Sequence, residues 1–368
     1  PQTVPLYVAD VTDPASLDAA FKDAAVVLTT AGPYTHWGTP VLEAALRTGT
    51  HYADLTAEVP WMLNMMDKHG VEATAKGVKI VHCAGFDSQP TDLISHLVTA
   101  ECVARTGAPP ERVFTVAGKA KGGFSGGTIA SLLAAMYEAP KAALARGAHP
   151  YSLTTGTGAK AVSDQVAIEE GDPAGARWCE PAAAWTAPFV MAFINARVAR
   201  RSAALRPGLY GSEYKHTEVM EMPGRFAAFA ASAATAGFAL ALKLPFARHA
   251  LRAIAPKQGT GPSMALCKGG HWEMRGYAVA RPDPASGKRR MVKGVAADPG
   301  RDPGYWGTSR MMLDLGLALA LDGPACEAAG CLKGGFLTPA TAGGAVLVDR
   351  LRSAGLTFDV LEEDGTTV

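Results

Sequence analysis

Short apolar runs and longer helical patterns take turns through the first hundred residues, and few architectures accommodate that rhythm. Val26–Thr30 (VVLTT), His51–Leu55 (HYADL) and Lys79–Cys83 (KIVHC) are short, β-rich and bounded by turn signals, so they read as buried strands. Leu6–Ala9 (LYVA) reads as the first strand of the series. The helices between them run from Asp10 to Lys22, opened by Asp13-Pro14, from Thr39 to Arg47, closed by Gly49, and from Pro60 to Lys76, closed by Gly77. Parallel neighbours need a long crossover, and a helix supplies it. The expectation is α/β, with βαβ units on a parallel sheet.

The turn after Lys79–Cys83 holds the most chemistry. The run breaks at Ala84-Gly85 and meets Asp87-Ser88-Gln89-Pro90, where Asp87 or Ser88 can cap a helix and Pro90 suits its first turn. Thr91 to Val98 continues as that helix. Its first N–H groups aim at whatever lies above the sheet edge, which is where ligands bind in open α/β sheets. An ordinary capped βα turn has the same residues.

A dinucleotide-binding sheet has strand order 3-2-1-4-5-6, with a glycine-rich phosphate loop after strand one. No G-x-G-x-x-G stands between a strand and a helix near the start of this sequence, which opens at Pro1. If Leu6–Ala9 is the third strand of such a sheet, strands three and four face a gap with unpaired backbone groups. Either a preceding segment is missing from the sequence, which is the simpler account, or the sheet has been rebuilt or is completed by a partner.

From Arg112 the pattern changes. Val113–Ala117 (VFTVA) reads as a strand, followed by the loop GKAKGGFSGGT and a helix from Ile129 to Tyr137. Glycines let a backbone approach a ligand closely. The loop therefore reads either as a substrate cleft lined by Lys119, Lys121, Ser125, Gly126, Gly127 and Thr128, or as a flexible β-to-α connection. Residues 139–225 are punctuated by Pro, Ala and Gly, with Trp178, Trp185 and Phe193 as core anchors and Phe189 to Arg201 as a helix whose cationic end lies at its C-terminus.

Phe226 to Leu242 then runs 17 residues without a charge, between Arg225 and the basic residues Lys243, Arg248 and Arg252. It reads as a buried or interface helix, as a membrane-surface or hairpin anchor, or as a short span. Lys268–Ala280 and Arg289–Val295 read as a hairpin sharing a sheet with Val113–Ala117. A long helix follows Asp302-Pro303-Gly304, then a helix from Thr341 to Ala354 and a strand at Thr357–Leu361.

A net charge of +1 and the lack of a basic run argue against a nucleic-acid partner. The six cysteines form no CxxC pair and the histidines no HExxH, so no metal site is expected, and the thiols read as reduced core residues of an intracellular protein.

Five segments in order resemble the saccharopine dehydrogenase-like oxidoreductases, which include membrane- and lipid-droplet-associated eukaryotic proteins and bacterial trans-acting enoyl reductases. They are VVLTTAGPYTHWGTPVLEAALRTGTHYADLTAE (26–58), GVKIVHCAGFDSQPTDL (77–93), FSGGTIAS (124–131), DPGYWGTSRMML (302–313) and LTPATAGGAVLVDRL (337–351). The resemblance implies a Rossmann domain over 1–110, a middle α+β domain with a mixed or antiparallel sheet over 111–300 and C-terminal helices over 301–368 that return to the first domain. It also implies NADP as cofactor. The family's GASGFTG-like loop and the later arginine for the 2′-phosphate have no counterpart in this sequence. What the resemblance leaves of the cofactor wall is Thr30, Ala31, Gly32, Pro33 and Tyr34, with Gly85 and Phe86. Tyr34, Asp87 and Ser88 are the polar groups available as a proton donor.

Saccharopine itself would need several cations converging on its carboxylates, and only Lys119 and Lys121 stand by a cleft loop. A lipid-like or acyl substrate at a membrane or lipid-droplet surface suits the chain better. The other reading is a non-catalytic accessory subunit of a membrane-associated assembly. A homodimer fits either.

Overall fold

A computed structural model describes residues 4–123, 130–131, 133–134, 137–159, 170–242, 244, 260–284 and 286–361. The expected mixed α/β architecture is present, as two sheets. The first is parallel, in the order β1 (Val26–Thr29), β2 (His51–Asp54), β3 (Lys79–Val81), β10 (Gly335–Leu337). Its crossovers are α2 (Tyr34–Thr48) and α3 (Val59–Ala75), and α1 (Pro14–Phe21) precedes β1. The signals that set these helices act as read: the Asp13 carboxylate accepts from Ala15 N at 3.1 Å, and Gly49 and Gly77 take left-handed φ values of 74° and 66°.

Leu6–Ala9 is not a strand. Residues 4–10 have no regular structure, and Val4, Leu6, Tyr7 and Val8 stand exposed. A strand persists only when its N–H and C=O groups find partners, and among the described residues nothing pairs with this run.

The second sheet has seven strands in the order β11-β9-β8-β4-β7-β6-β5, all neighbours antiparallel except β4 and β7. The strands are β4 (Arg112–Lys121), β5 (Arg177–Cys179), β6 (Ala184–Ala187), β7 (His216–Met222), β8 (His271–Val279), β9 (Met291–Asp298) and β11 (Thr357–Leu361). The expected hairpin and its sharing of a sheet with Val113–Ala117 are found. The last sixty residues serve both sheets, β10 in the first and β11 in the second.

The helix α4 (Gln89–Thr106) joins the two sheets. It leaves the parallel sheet at the end of β3 and lies across β8 and β9, burying Leu93, Ile94 and Val98 completely. A Cβ on Gly276 or Gly294 would come within 2.8 or 2.9 Å of Ile94, so glycine at both positions permits that approach.

Two regions depart from expectation. The Ala192–Leu205 helix does not present its cations to solvent: Arg197, Arg200 and Arg201 are 2%, 2% and 4% exposed. Its surroundings offer backbone carbonyls, which a guanidinium can satisfy without water. Trp178 and Phe193, expected as core anchors, are 46% and 45% exposed, while Trp185 is half-buried. Conversely, the Arg225–Ala241 helix buries only Ala228 and Ser232, and Phe226 and Leu240 are 79% and 65% exposed. A buried core helix is therefore ruled out for this stretch. No described helix is long and apolar enough to cross a membrane.

Candidate active site

The C-terminal ends of the parallel strands converge on one edge, the side on which such sheets bind ligands. After β1, Thr30 and Ala31 are exposed, and the chain turns through Gly32-Pro33 into α2. The N-terminus of α2 is already filled. Tyr34 N and Thr35 N each donate to the Glu58 carboxylate at 2.8 Å, and the Thr35 hydroxyl donates to it at 2.5 Å. A buried carboxylate there satisfies orphan donors and opposes the helix dipole. The Tyr34 hydroxyl donates to Thr29 O at 3.0 Å and accepts from Leu55 N at 3.1 Å. Its single proton is thus held by the backbone, and burial pushes its pKa far above that of a free phenol.

After β2, buried Asp54 accepts from Tyr52 Oη at 2.9 Å and Thr56 N at 3.0 Å and pairs with His82 Nδ1 at 2.8 Å. After β3, Cys83 adopts φ 59°, its thiol donating to Thr56 O at 3.0 Å. Gly85 has no open space above it: a Cβ there would lie 2.7 Å from Thr308 Cγ2 and 2.8 Å from Leu55 Cδ2. Phe86 N donates to Thr308 Oγ1 at 3.1 Å, and its ring meets Trp272 edge-on at 5.4 Å. Thr308, Leu55 and, from β8 of the second sheet, Trp272 thus cover this part of the edge.

Asp87 and Ser88 follow. Ser88 is buried at the start of α4, but its hydroxyl makes no cap bond and has no partner. Asp87 is half-buried, and desolvation pushes its carboxyl up to about 7. Behind them lies Glu218, on β7. Its Oε1 accepts from Thr91 Oγ1 at 2.7 Å and from Asn195 Nδ2 at 3.1 Å, while Oε2 is buried without a partner. Burial pushes its carboxyl up to about 8, and the charges of Asp172 and then Asp87 add to the shift. Two carboxyls that favour the protonated form near neutrality therefore flank the start of α4.

The residues expected on the cofactor wall and as donors, Thr30 to Tyr34 and Gly85 to Ser88, share this edge on either side of β2. Ser131 lies 3.4 Å from the Cβ position of Gly32, so the segment after the glycine-rich loop also reaches it. Lys119, within a bulge between Ala117 and Ala120, and Lys121, at the end of β4, both stand in the open. Ser125, Gly126, Gly127 and Thr128 lie outside the described residues. Sequence reading missed Glu58, whose place just before a helix is a capping signal, and Glu218, whose only signal is a carboxylate amid the β-rich run His216–Met222. It also missed Asn195.

Among the described residues, neither the start of α2 nor the turn at Gly85 is open to a pyrophosphate. A pyrophosphate binds over a glycine turn at a free helix N-terminus. Here Glu58 holds the N-terminus of α2, and Thr308 and Leu55 close Gly85. Of the expected cofactor wall, the Thr30-Ala31 segment is the part that stays exposed. Among the described residues no group of three or more His, Cys, Asp or Glu side chains is placed to hold a metal ion.

No profile of a known protein family matches the chain. Individual proteins do. A putative trans-acting enoyl reductase of Mycobacterium tuberculosis is 37% identical over 97% of this chain and 85% of its own length. Trans-acting enoyl reductases of Mycobacterium leprae and Mycobacterium ulcerans are 35% and 34% identical, each over 96% of this chain and 84% of theirs. Among solved structures, apo histidine-tagged saccharopine dehydrogenase (L-Glu forming) from Saccharomyces cerevisiae aligns over 98% of this chain and 88% of its own, with a TM-score of 0.43 and 15% identity. At more than a third identity across nearly its whole length, the chain belongs to the trans-acting enoyl reductase family, a family of oxidoreductases.

Proposed function

We propose that this protein reduces the carbon–carbon double bond of an enoyl substrate bearing a lipid-like acyl chain, with NADPH as the reductant. Family membership supports the reaction class, and the observation that carries the reading is Asp87. A nicotinamide, when bound, supplies a hydride and no proton. Reduction of an enoyl group also needs a proton at the α-carbon, from an acid whose pKa lies near the working pH. Asp87 is such an acid: it stands at the ligand edge, and burial holds its carboxyl up at about 7. Tyr34 is less suited, because its proton is donated to Thr29 O. Ser88 is too weak an acid unless Asp87 or Glu218 relays a proton through it.

The test uses the full chain, NADPH and a 2-enoyl thioester, following loss of nicotinamide absorbance. Turnover should fall as pH rises through about 7, because the donor must be protonated. Asp87→Asn should lower kcat by about 10²–10⁴-fold, the range for removing a general acid. A variant with wild-type turnover would return the proton to another donor and leave the reductase standing. Absence of both NADPH oxidation and thermal protection at millimolar cofactor would sink the reductase and favour the accessory-subunit reading.

The same proposal places the exposed side of the Arg225–Ala241 helix against an acyl-rich surface. Phe226, Phe229, Phe238 and Leu240 stand in the open, and Arg225, Lys243, Arg248 and Arg252 bracket them in sequence. Apolar side chains with a basic flank suit an anionic membrane surface, where a lipid-like substrate would also reside. Sedimentation with anionic vesicles tests it, and a protein that stays in the supernatant would remove the membrane from the proposal.

A further inference from the structure

Cys326 and Cys331 stand in the spacing CEAAGC, ahead of β10. The short helix Gly323–Ala328 ends there in a full Schellman motif: Cys331 N donates to Cys326 O at 2.9 Å, Gly330 N donates to Glu327 O at 2.9 Å, and Gly330 takes φ 83°. That motif brings together the side chains three residues before and two after its cap. Here both are cysteines, and their side chains share a small buried cluster with Ala318, the Cys326 thiol donating to Gly343 O at 3.9 Å. Both are free thiols. The other four cysteines are also buried, and none is part of such a turn.

A second feature points at the same place. Lys79, the first residue of β3, is 2% exposed, and its Nζ has no partner. Its charge acts on both sulfurs, joined by Arg350 at Cys326 and by Arg206 at Cys331, with Asp322 opposing at Cys326. A hydrogen bond from Cys331 and these cations hold Cys326 below the usual thiol range, while Cys331 is pushed up and keeps its proton. Of the two sulfurs, Cys326 is therefore the one favoured to lose its proton first, and Cys331 the one that follows.

We infer that Cys326 and Cys331 form a peroxide-oxidisable dithiol, with Cys326 as the attacking thiolate, Cys331 as the resolving thiol and Lys79 as the group that keeps the pair reactive. The Cys326 thiolate attacks one oxygen of a hydroperoxide. The O–O bond breaks, an alcohol or water leaves, and Cys326 is oxidised to a sulfenic acid. Cys331 then attacks that sulfur, the S–O bond breaks, water leaves, and a disulfide closes. Residues 327–330 above the thiols are exposed, and local opening of so short a helix admits a small oxidant. Lys79 opens β3 and both cysteines precede β10, so the pair lies at the N-terminal end of the parallel strands. Asp87 lies at the other end.

Hydrogen peroxide on the full native chain tests this, read by mass spectrometry. The tryptic peptide 311–333 carries these two cysteines alone. It should lose the mass of two hydrogens, and a thiol reductant should restore it. Cys331→Ser should stop at a sulfenic acid trapped by dimedone, whereas Cys326→Ser should leave Cys331 unlabelled. Lys79→Met removes an unpaired buried charge, so the variant should fold at least as well, yet oxidise about tenfold more slowly if it lowers the thiolate fraction by one pKa unit. Two free thiols in 311–333, under peroxide that fully oxidises glutathione alongside, would overturn the site. A wild-type rate in folded Lys79→Met would overturn the part assigned to Lys79.

Discussion

The Ala192–Leu205 helix carries arginines at 197, 200 and 201 and is buried, whereas the Arg225–Ala241 helix has no charge after its first residue and stands largely in the open. Composition alone would reverse them. The difference lies in what each can bond. Arg197 reaches Gly147 O at 3.2 Å, Ala148 O at 2.6 Å and Asp172 at 2.9 Å. Arg200 reaches Pro150 O at 3.0 Å, Glu170 O at 2.8 Å and His216 O at 3.0 Å. Arg201 reaches Thr155 O at 3.0 Å, the Leu153 carbonyl, and Phe336 O on β10 at 2.6 and 3.1 Å. These guanidiniums tie an irregular segment and an edge strand to one helix, supplying the donors that such carbonyls need once buried. The apolar helix meets the sheet mainly at β6 and β7, with the Phe229 ring 6.2 Å from Trp185.

Arg201→Leu is the harshest way to break this comparison. It strands the carbonyls of Leu153, Thr155 and Phe336, and unfolding by denaturant should show a loss of about 3 kcal/mol, about 1 for each stranded acceptor. A loss below about 1 kcal/mol would mean the bonds only decorate a helix held by its apolar side.

Asn195 on the same buried helix donates to Glu218, which gives a pH test. The folded Glu218 carboxyl sits at about 8 against an ordinary 4.5, so the native state keeps a proton that the unfolded chain releases between those values. Wild-type stability should therefore be greatest below that window and decline as pH rises through it, by up to about 1.4 kcal/mol per pH unit for one proton. Asp87 adds a like slope between 3.8 and about 7, and buried Asp92 another between 3.8 and about 6. Glu218→Gln should remove one of these three slopes and leave the variant relatively more stable at high pH. Parallel curves for the two proteins would show that Glu218 is ionised in the fold.

Tyr34→Phe sharpens the same contrast at the ligand edge. Removing one hydroxyl leaves Thr29 O and Leu55 N short of a partner, for about 1–2 kcal/mol of stability. Turnover should stay within a few-fold of wild type, and a loss as large as that of Asp87→Asn would return the proton to Tyr34. Phe226→Ser with Phe238→Ser should have the smallest effect, within about 0.5 kcal/mol as for other surface changes, while lowering vesicle sedimentation. A large drop in melting temperature would place those rings in a packed interface.

Much of the parallel sheet was legible because its signals are local. Asp13 before α1, Gly49 after α2 and the run Lys79–Val81 before Asp87-Ser88 act within a few residues of where they stand. Leu6–Ala9 misled because β-propensity describes a fit to a neighbour, and none of the described residues pairs with it. At the site, Asp87 and Ser88 could be named from a turn. Glu58, Glu218 and Asn195 could not, because they reach it from 24, 127 and 107 residues beyond Tyr34, Thr91 and Ser88.

By itself, then, the sequence determined the βαβ rhythm, the strand-to-helix turn that starts α4 and the family, since each depends on residues close together or on motifs in order. Only the tertiary structure decided that three arginines go inside, that an apolar helix stays outside, that Glu58 fills the N-terminus of α2, and that Glu218 lies behind Asp87. The physical reason is common to all four. The free energy of a charge or an apolar side chain depends on the hydrogen-bond partners and the water around it, and those are set by chain segments far away in sequence.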